Sequence, residues 1–230
     1  SGNTTDLNNW LNSFGGADAS DNCGTINWIN DFTSLSNLCG QTGSATVTFI
    51  AADNCGNASS TTATFTIVDT TPPTITNPAS DGSVECDGSG NLADLNSWLS
   101  ALGGAAASED CANIYWTNDF VSFTNQCGQT GDALVTFSAT DDCGNVSTTA
   151  ATFSIVDTTP PVITTAASSI TVECDGSGNL ADFTAWTSSQ AGASASDICG
   201  GIITWSYVAG AQSDLCGGTG VIPVTFTATE

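Results

Sequence analysis

The feature that most constrains this chain is its repetition. Ser1-Gly2-Asn3 recurs as Ser89-Gly90-Asn91 and again as Ser177-Gly178-Asn179, a step of 88 residues each time. Trp10, Trp98 and Trp186 keep that step, as do Cys23, Cys111 and Cys199. Cys39 and Cys127 keep it too, while Cys216 falls one residue later, after a small insertion near Gly201. A fixed period predicts one structural unit used repeatedly. Val68-Asp69-Thr70-Thr71-Pro72-Pro73 returns as Val156-Asp157-Thr158-Thr159-Pro160-Pro161. Paired prolines hold an extended, semi-rigid spacer, so these stretches are the expected joints. The division is a truncated unit over 1–68, a linker at 69–73, a whole unit over 74–156, a second linker at 157–161 and a truncated unit over 162–230. The chain reads as a window cut from a longer array.

Within a unit the apolar pattern has period two. Ala133-Leu134-Val135-Thr136-Phe137-Ser138-Ala139-Thr140 alternates, and Ala151-Thr152-Phe153-Ser154-Ile155 alternates again beyond a turn at Asp142-Cys143-Gly144-Asn145. That predicts a hairpin of half-buried strands. Ile114–Thr117 is a third strand and Thr171–Cys174 represents a fourth kind, rich in the β-branched residues that suit a pleated surface. Leu92, Leu95, Leu99 and Leu102 instead follow a helical period, with Asn91 as N-cap and Gly103-Gly104 as the stop. The third copy turns polar after Phe183 and Trp186, so its helix should be shorter. The expected class is all-β: tandem immunoglobulin-like β-sandwich repeats, each with a short helical insert.

Composition now narrows function. The chain has no Lys, Arg or His, against 23 acidic residues, for a formal charge of −23. Nucleic-acid binding needs cations to displace counterions, and none exist. Serine or cysteine nucleophiles lack their usual base, and anionic membranes would repel the chain. Paired carboxylates could serve a glycosidase, but the same acids recur in every copy with the linker and turns, which suits structure. No enzyme is expected. Carboxylates that no basic side chain neutralises weaken a compact state. A structural Ca²⁺, with its preference for oxygen ligands, is the expected remedy; the alternative is well-spread, solvated charge screened by salt. Ten cysteines, without a CxxC or His, point to disulfides in an oxidising compartment rather than to zinc. No run of 18 or more apolar residues occurs, so no membrane insertion is expected.

Asp-Thr-Thr-Pro-Pro at 69–73 and 157–161, Asp21-Asn22-Cys23-Gly24, and Val135-Thr136-Phe137 followed by Asp141-Asp142-Cys143-Gly144-Asn145 resemble the hyalin-repeat (HYR) family. They are most similar to the HYR-like repeats of giant cell-surface adhesins of gliding Bacteroidota. The resemblance spans essentially the whole chain. It implies an immunoglobulin-like fold, an extracellular, cell-surface or secreted location, and an adhesive or stalk role. The chain departs from the family pattern: Ile75–Pro78 and Phe65–Ile67 lack cysteines that hyalin repeats carry there, and Cys86 and the helical insert are extra.

In an immunoglobulin-like topology, the loops holding Cys111 and Cys143 share one end, and the segments holding Cys86 and Cys127 share the other. The expected bonds are therefore Cys111–Cys143 and Cys86–Cys127, with Cys23–Cys55 and Cys174–Cys216 by repetition; a local Cys111–Cys127 bond is the rival. Cys39 and Cys199 are left over. Asp141, Asp142 and Asn145 on the hairpin turn, Glu109 and Asp110 on the neighbouring loop, and Asp69 of the incoming linker form one expected Ca²⁺ group. Asp21, Asp53 and Asn57 are its counterpart in the first unit, and Asp157 marks the next joint. Asp87, Ser89 and Asn91, with alternating oxygens, form a second candidate, the alternative there being a turn plus helix cap. Asp69-Thr70-Thr71 and Asp157-Thr158-Thr159 resemble a Bacteroidota O-glycosylation pattern, placing sugar on Thr70 and Thr158. Partners implied are neighbouring repeats of the same or identical chains, and surface glycans. The leading function is a non-catalytic segment of an adhesin or filament. Self-assembly into a filament, or a carbohydrate-binding module using Tyr207 or Trp28, are the alternatives.

Overall fold

A computed structural model describes residues 3–214 and 219–230. The first copy runs α1 (Thr4–Asn12), β1 (Asn27–Asn30), β2 (Ser36–Asn37), β3 (Gly43–Ala52) and β4 (Ala58–Ile67). The second runs β5 (Thr74–Asn77), β6 (Gly82–Glu85), α2 (Leu92–Ser100), β7 (Ala106–Ser108), β8 (Ile114–Asn118), β9 (Thr124–Asn125), β10 (Gly131–Asp141) and β11 (Val146–Val156). The third runs β12 (Val162–Thr165), α3 (Leu180–Ser188), β13 (Ser194–Ser196), β14 (Thr204–Ala209), β15 (Ser213–Asp214), β16 (Gly220–Val221) and β17 (Val224–Thr229). The architecture is mostly β-strands in several sheets, with three short helices, as the alternating pattern predicts. The hairpin expected around Asp142–Asn145 is β10–β11, and the third expected strand is β8.

The chain divides into two compact units: residues 1–79, 104–119 and 136–150 in the first, and 80–103, 120–135 and 151–230 in the second. The long hairpin β10–β11 gives its tip to the first and its base to the second. In the first unit β3 pairs antiparallel with β4 along its whole length, and with β1 and β2 on its opposite edge. The hairpin tip pairs with β8, and β5 pairs with β7. Val47 and Phe49 point inward from β3 and are fully buried. Trp10 of α1 meets Phe49 edge-on at 5.3 Å and Phe65 at 5.4 Å. Burying an aromatic or aliphatic side chain of this size contributes about 1.5–3 kcal/mol, so the aromatic stack anchors the helix to the sheet. Just beyond α1, Gly15 has φ 67°, and a Cβ there would come within 2.7 Å of the Phe49 ring. Only glycine fits that approach.

In the second unit β6 pairs parallel with β11, and β14 pairs antiparallel with β17. Cys86, Leu95, Phe153, Ile155 and Cys199 form one buried cluster, with Val84, Trp98, Leu99, Phe120 and Phe123 packed against it. The Trp98 indole N–H donates to the Ser80 carbonyl at 3.1 Å, which satisfies the polar end of a core side chain. In the third copy Pro223 separates β16 from β17. Its counterpart in the continuous β10 is Leu134; proline cannot donate to a ladder and breaks the strand.

Three local expectations are corrected. Asn91 stands at the N-cap position of α2 but in the left-handed region, with no side-chain cap bond. Its amide donates instead back to the Glu85 carbonyl and forward to the Asp94 carboxylate in the first turn of α2. The third helix is not shorter: α1, α2 and α3 each have nine residues. Polar Thr187 is buried in α3 without penalty because its hydroxyl bonds the Phe183 and Thr184 carbonyls. Residues 171–174 form no strand. Their counterpart β6 exists by pairing with β11, and the third copy has no such partner among the described residues.

Candidate cation and cross-link sites

Each linker opens on an Asx turn. The Asp69 Oδ1 accepts the Thr71 N–H at 3.1 Å, and the Asp157 Oδ1 accepts the Thr159 N–H at 3.1 Å. These turns fix where the two carboxylates point. In the first unit the ligand atoms of Asp69, Glu109 and Cys111 lie within 4.8 Å of one another. The Asp69 Oδ2 is buried there with no hydrogen-bond partner. An ionised oxygen in that state is costly, and the protein contains no Lys or Arg to answer it.

The second unit repeats the arrangement. Asp157, Asp197 and Cys199, the counterparts of the first group, again lie within 4.8 Å. The Glu230 carboxyl is near enough to feel both the Asp157 and the Asp197 carboxylates. Burial first, and then the neighbouring Asp157 and Asp197 carboxylates, push the Glu230 carboxyl above its usual range. Close carboxylates can coexist only by sharing a proton or a cation. Cys199 is bonded elsewhere, so sulfur is no ligand there; the donors common to both places are carboxylate oxygens. That set fits a hard cation such as Ca²⁺, which would draw its remaining ligands from backbone carbonyls and water. Asp69 and Glu109 would hold it in the first unit, and Asp157 and Asp197 in the second.

The other predicted ligands are engaged elsewhere. Asp110 is exposed and outside the group. Asp141 is 3% exposed, and its oxygens accept the Cys143 and Asn145 N–H groups and the Asn145 amide at 2.8–2.9 Å. Burial raises its pKa, but these bonds outweigh that and hold it below the usual carboxylate range. Asn145 does reach the joint, donating weakly to the Asp69 carbonyl at 3.3 Å. Asp142 turns to Asn113, accepting its N–H and amide at 3.0 and 2.9 Å. Asp53 and Asn57 pair with each other as Asp141 and Asn145 do, while Asp21 accepts the Cys23 N–H at 2.7 Å. Asp21, Asp53 and Asn57 line one shallow depression but form no ligand cluster. The Asp87 carboxylate accepts the Ser89 and Asn91 N–H groups at 2.7 and 3.1 Å. Asp87 Oδ1 thus closes a turn before α2, the alternative reading of this loop.

The disulfides differ from the expected set. Cys39 bonds Cys143, and Cys86 bonds Cys199. Cys111–Cys143, Cys86–Cys127, Cys23–Cys55 and the rival Cys111–Cys127 are not formed; Cys23, Cys55, Cys111, Cys127 and Cys174 are exposed thiols. Cys216, the proposed partner of Cys174, lies outside the described residues. The expectation treated each copy as closed on itself. In the structure the loop after β2 rests on the following copy, with the Gln41 N–H donating to the Cys111 carbonyl at 2.8 Å. Both bonds therefore run from one copy to the next, and the two cysteines set aside as unpaired are the ones used.

Thr70 is exposed. The Thr158 hydroxyl donates to the Glu85 carboxylate at 3.0 Å, a bond that a sugar there would replace. Trp28 is stacked face-on by Phe14 at 4.7 Å, and Tyr207 is 47% exposed beside Phe183 and Phe226. Asp197 and Glu230 were missed from the sequence. Translating Glu109 and Asp141 by one repeat would have found them. No helix among the described residues is long and apolar enough to cross a membrane. No family profile matches the chain, and neither does any curated protein.

Proposed function

We propose that this chain is a non-catalytic segment of an extracellular cell-surface adhesin or filament, built from immunoglobulin-like HYR-like repeats and stiffened by disulfides and Ca²⁺. The observation that carries it is the direction of the two disulfides: Cys39–Cys143 and Cys86–Cys199 each link successive copies. Bonds of that kind serve continuity along an array and do little for a lone binding module. The recurring Asx turn and paired prolines support the same reading, since they set a fixed exit direction at each joint. Ca²⁺ at Asp69–Glu109 and at Asp157–Asp197 offsets carboxylate repulsion where copies follow one another.

The test is melting temperature and hydrodynamic length with Ca²⁺ and with EDTA. A cation held only by the folded chain at a hundred times its Kd stabilises by about 2.7 kcal/mol, so Ca²⁺ should raise the melting temperature. Asp69→Asn with Asp157→Asn should remove most of that rise and leave the disulfide map unchanged. If EDTA leaves both quantities unaltered, Ca²⁺ has no structural part. Micrographs then distinguish separate cell-bound strands from an ordered filament.

A further inference from the structure

The first copy holds a polar groove at one edge of its sheet. β1 and β2 pair with the same edge of β3, the former ending at Asn30–Phe49 and the latter beginning at Ser36–Ser44. Residues 31–35 arch away between them and leave a cavity of about 290 Å³ against β3. Asp31 belongs to its wall. It donates its N–H to the Thr48 carbonyl at 3.3 Å and takes the Thr48 N–H on its carboxylate at 2.7 Å. Thr48 thus turns its main chain toward this edge. By the alternation of an antiparallel ladder, Thr46 turns its N–H and C=O the same way, into the groove, where neither β1 nor β2 pairs with it. Thr33, Ser36, Ser44 and Phe32 also line the groove. The Ser36 hydroxyl donates to the Ser44 carbonyl at 2.8 Å, and the Thr46 and Thr64 hydroxyls bond at 2.9 Å. These bonds fix part of the wall before any ligand arrives, which lowers the cost of binding.

The three copies treat this place differently. The central copy keeps the scaffold: β8 ends at Asn118–Phe137, β9 begins at Thr124–Asp132, and Asp119 takes the Thr136 N–H as Asp31 takes that of Thr48. Val121 and Leu134 stand there in place of Thr33 and Thr46, and they are 89% and 72% exposed. The place is open in the central copy too, so its openness belongs to the repeat. In the third copy the ladder runs on through Val208–Thr225 and Ala209–Val224, and no acid interrupts it. One scaffold thus carries a hydroxyl-lined groove in the first copy, an apolar surface in the second and a closed ladder in the third.

The lining selects the chemistry of a ligand. An anion is opposed by Asp31 and by a chain charge of −23. A cation only donates and would leave the Thr46 N–H unanswered. A peptide strand donates and accepts, but strand addition needs a longer open edge than the one left between β1 and β2. The cavity lies at the lower end of the roughly 300–1,000 Å³ of small-molecule pockets, which suits one ring. We infer that the groove between residues 31–36 and 44–47 binds a single neutral sugar residue of a glycan. Adjacent sugar hydroxyls donate to the Asp31 carboxylate, which keeps acceptor positions beyond the one Thr48 uses, and to the Thr46 carbonyl. One of them accepts the Thr46 N–H, and the C–H face of the ring lies on Phe32. This goes beyond the reading of the chain as a stiffened array and uses neither the cation groups nor the disulfides.

The test uses the full 230-residue chain and the methyl glycosides of glucose, galactose, mannose and N-acetylglucosamine. At least one glycoside should show saturation transfer from the chain and shift the Thr46 amide resonance, with EDTA as without it. Thr33→Val combined with Thr46→Leu gives the first copy the residues that the central copy holds on the same scaffold. That variant should bind the glycoside at least tenfold more weakly while keeping its melting temperature and its disulfides. An unmoved Thr46 amide in the unaltered chain with all four glycosides would overturn the inference. So would undiminished binding by the double variant, which would place the sugar elsewhere. A Thr46 shift with methylguanidinium and with none of the glycosides would also overturn it and make the groove a site for a cation.

Discussion

At the scale of single residues, this protein neutralises its acids with its own backbone. The Asp31 carboxylate accepts the Thr48 N–H, and Asp119 accepts the Thr136 N–H, each at 2.7 Å. Asp81 accepts the Thr152 N–H at 2.8 Å, and Asp53, Asp87, Asp141 and Asp175 close turns in the same way. Backbone N–H groups lower the pKa of Asp31, Asp87, Asp119 and Asp175, and the Asn57 amide with its backbone N–H lowers that of Asp53. A carboxylate whose folded pKa is depressed gives stability above its unfolded value, about 3.9, and loses it as pH falls through the folded value. Stability should therefore hold from neutrality down to about pH 4 and drop below it, as denaturant midpoints against pH would show. A midpoint that improves below pH 4 would mean that charge repulsion outweighs these bonds. The sequence identified which residues are acidic at each joint but not which oxygens remain free. Turn-forming and cation-binding aspartates have the same spacing, and only the direction of nearby N–H groups separates Asp87 from Asp69.

At the scale of elements, the hairpin and the helices were legible because each follows a local period. β10 alternates buried residues with half-buried ones, or with the exposed Leu134, along its length, and Leu95 of α2 sits in the core at 2% exposure. Leu95→Ala should cost about 2–5 kcal/mol, seen as a lower melting temperature with α2 retained in the far-ultraviolet spectrum. A cost below 1 kcal/mol would mean that the helix is peripheral to the core. What local pattern could not supply was dependence on a partner. Gly82–Glu85 and 170–173 are equivalent stretches of sequence, but among the described residues only the first has a β11-type strand beside it. Asn91 departs from a simple cap for a related reason: the loop that precedes the helix brings the Glu85 carbonyl to its amide, which also donates to Asp94 in the first helical turn.

At the scale of the whole molecule, repetition was plain in the sequence and connectivity was not. Cys39 and Cys143 are 104 residues apart, and Cys86 and Cys199 are 113 apart. No spacing rule links such pairs, and the topological rule applied to each copy alone gave bonds within a copy. Closing a loop of that size is worth up to about 4.7 kcal/mol in the chain-entropy model. Cys39→Ser should lower stability by an amount of that order, measured by denaturant unfolding, and should leave Cys86–Cys199 in a non-reducing peptide map. Recovery of a Cys111–Cys143 peptide from the unaltered chain would reverse the assignment. The two bonded segments also overlap, since Cys86 lies between Cys39 and Cys143, and Cys143 lies between Cys86 and Cys199. Under tension this has a definite effect. A residue contributes roughly 3.3–3.6 Å of fully extended chain, but the overlapping loops do not add. The shortest covalent path runs through residues 39–86 and across Cys86–Cys199. The two bonds together therefore withhold the 113-residue separation, roughly 370 Å of contour. On the reading of the chain as a tether, that length stays out of reach of a load even after every sheet has come apart.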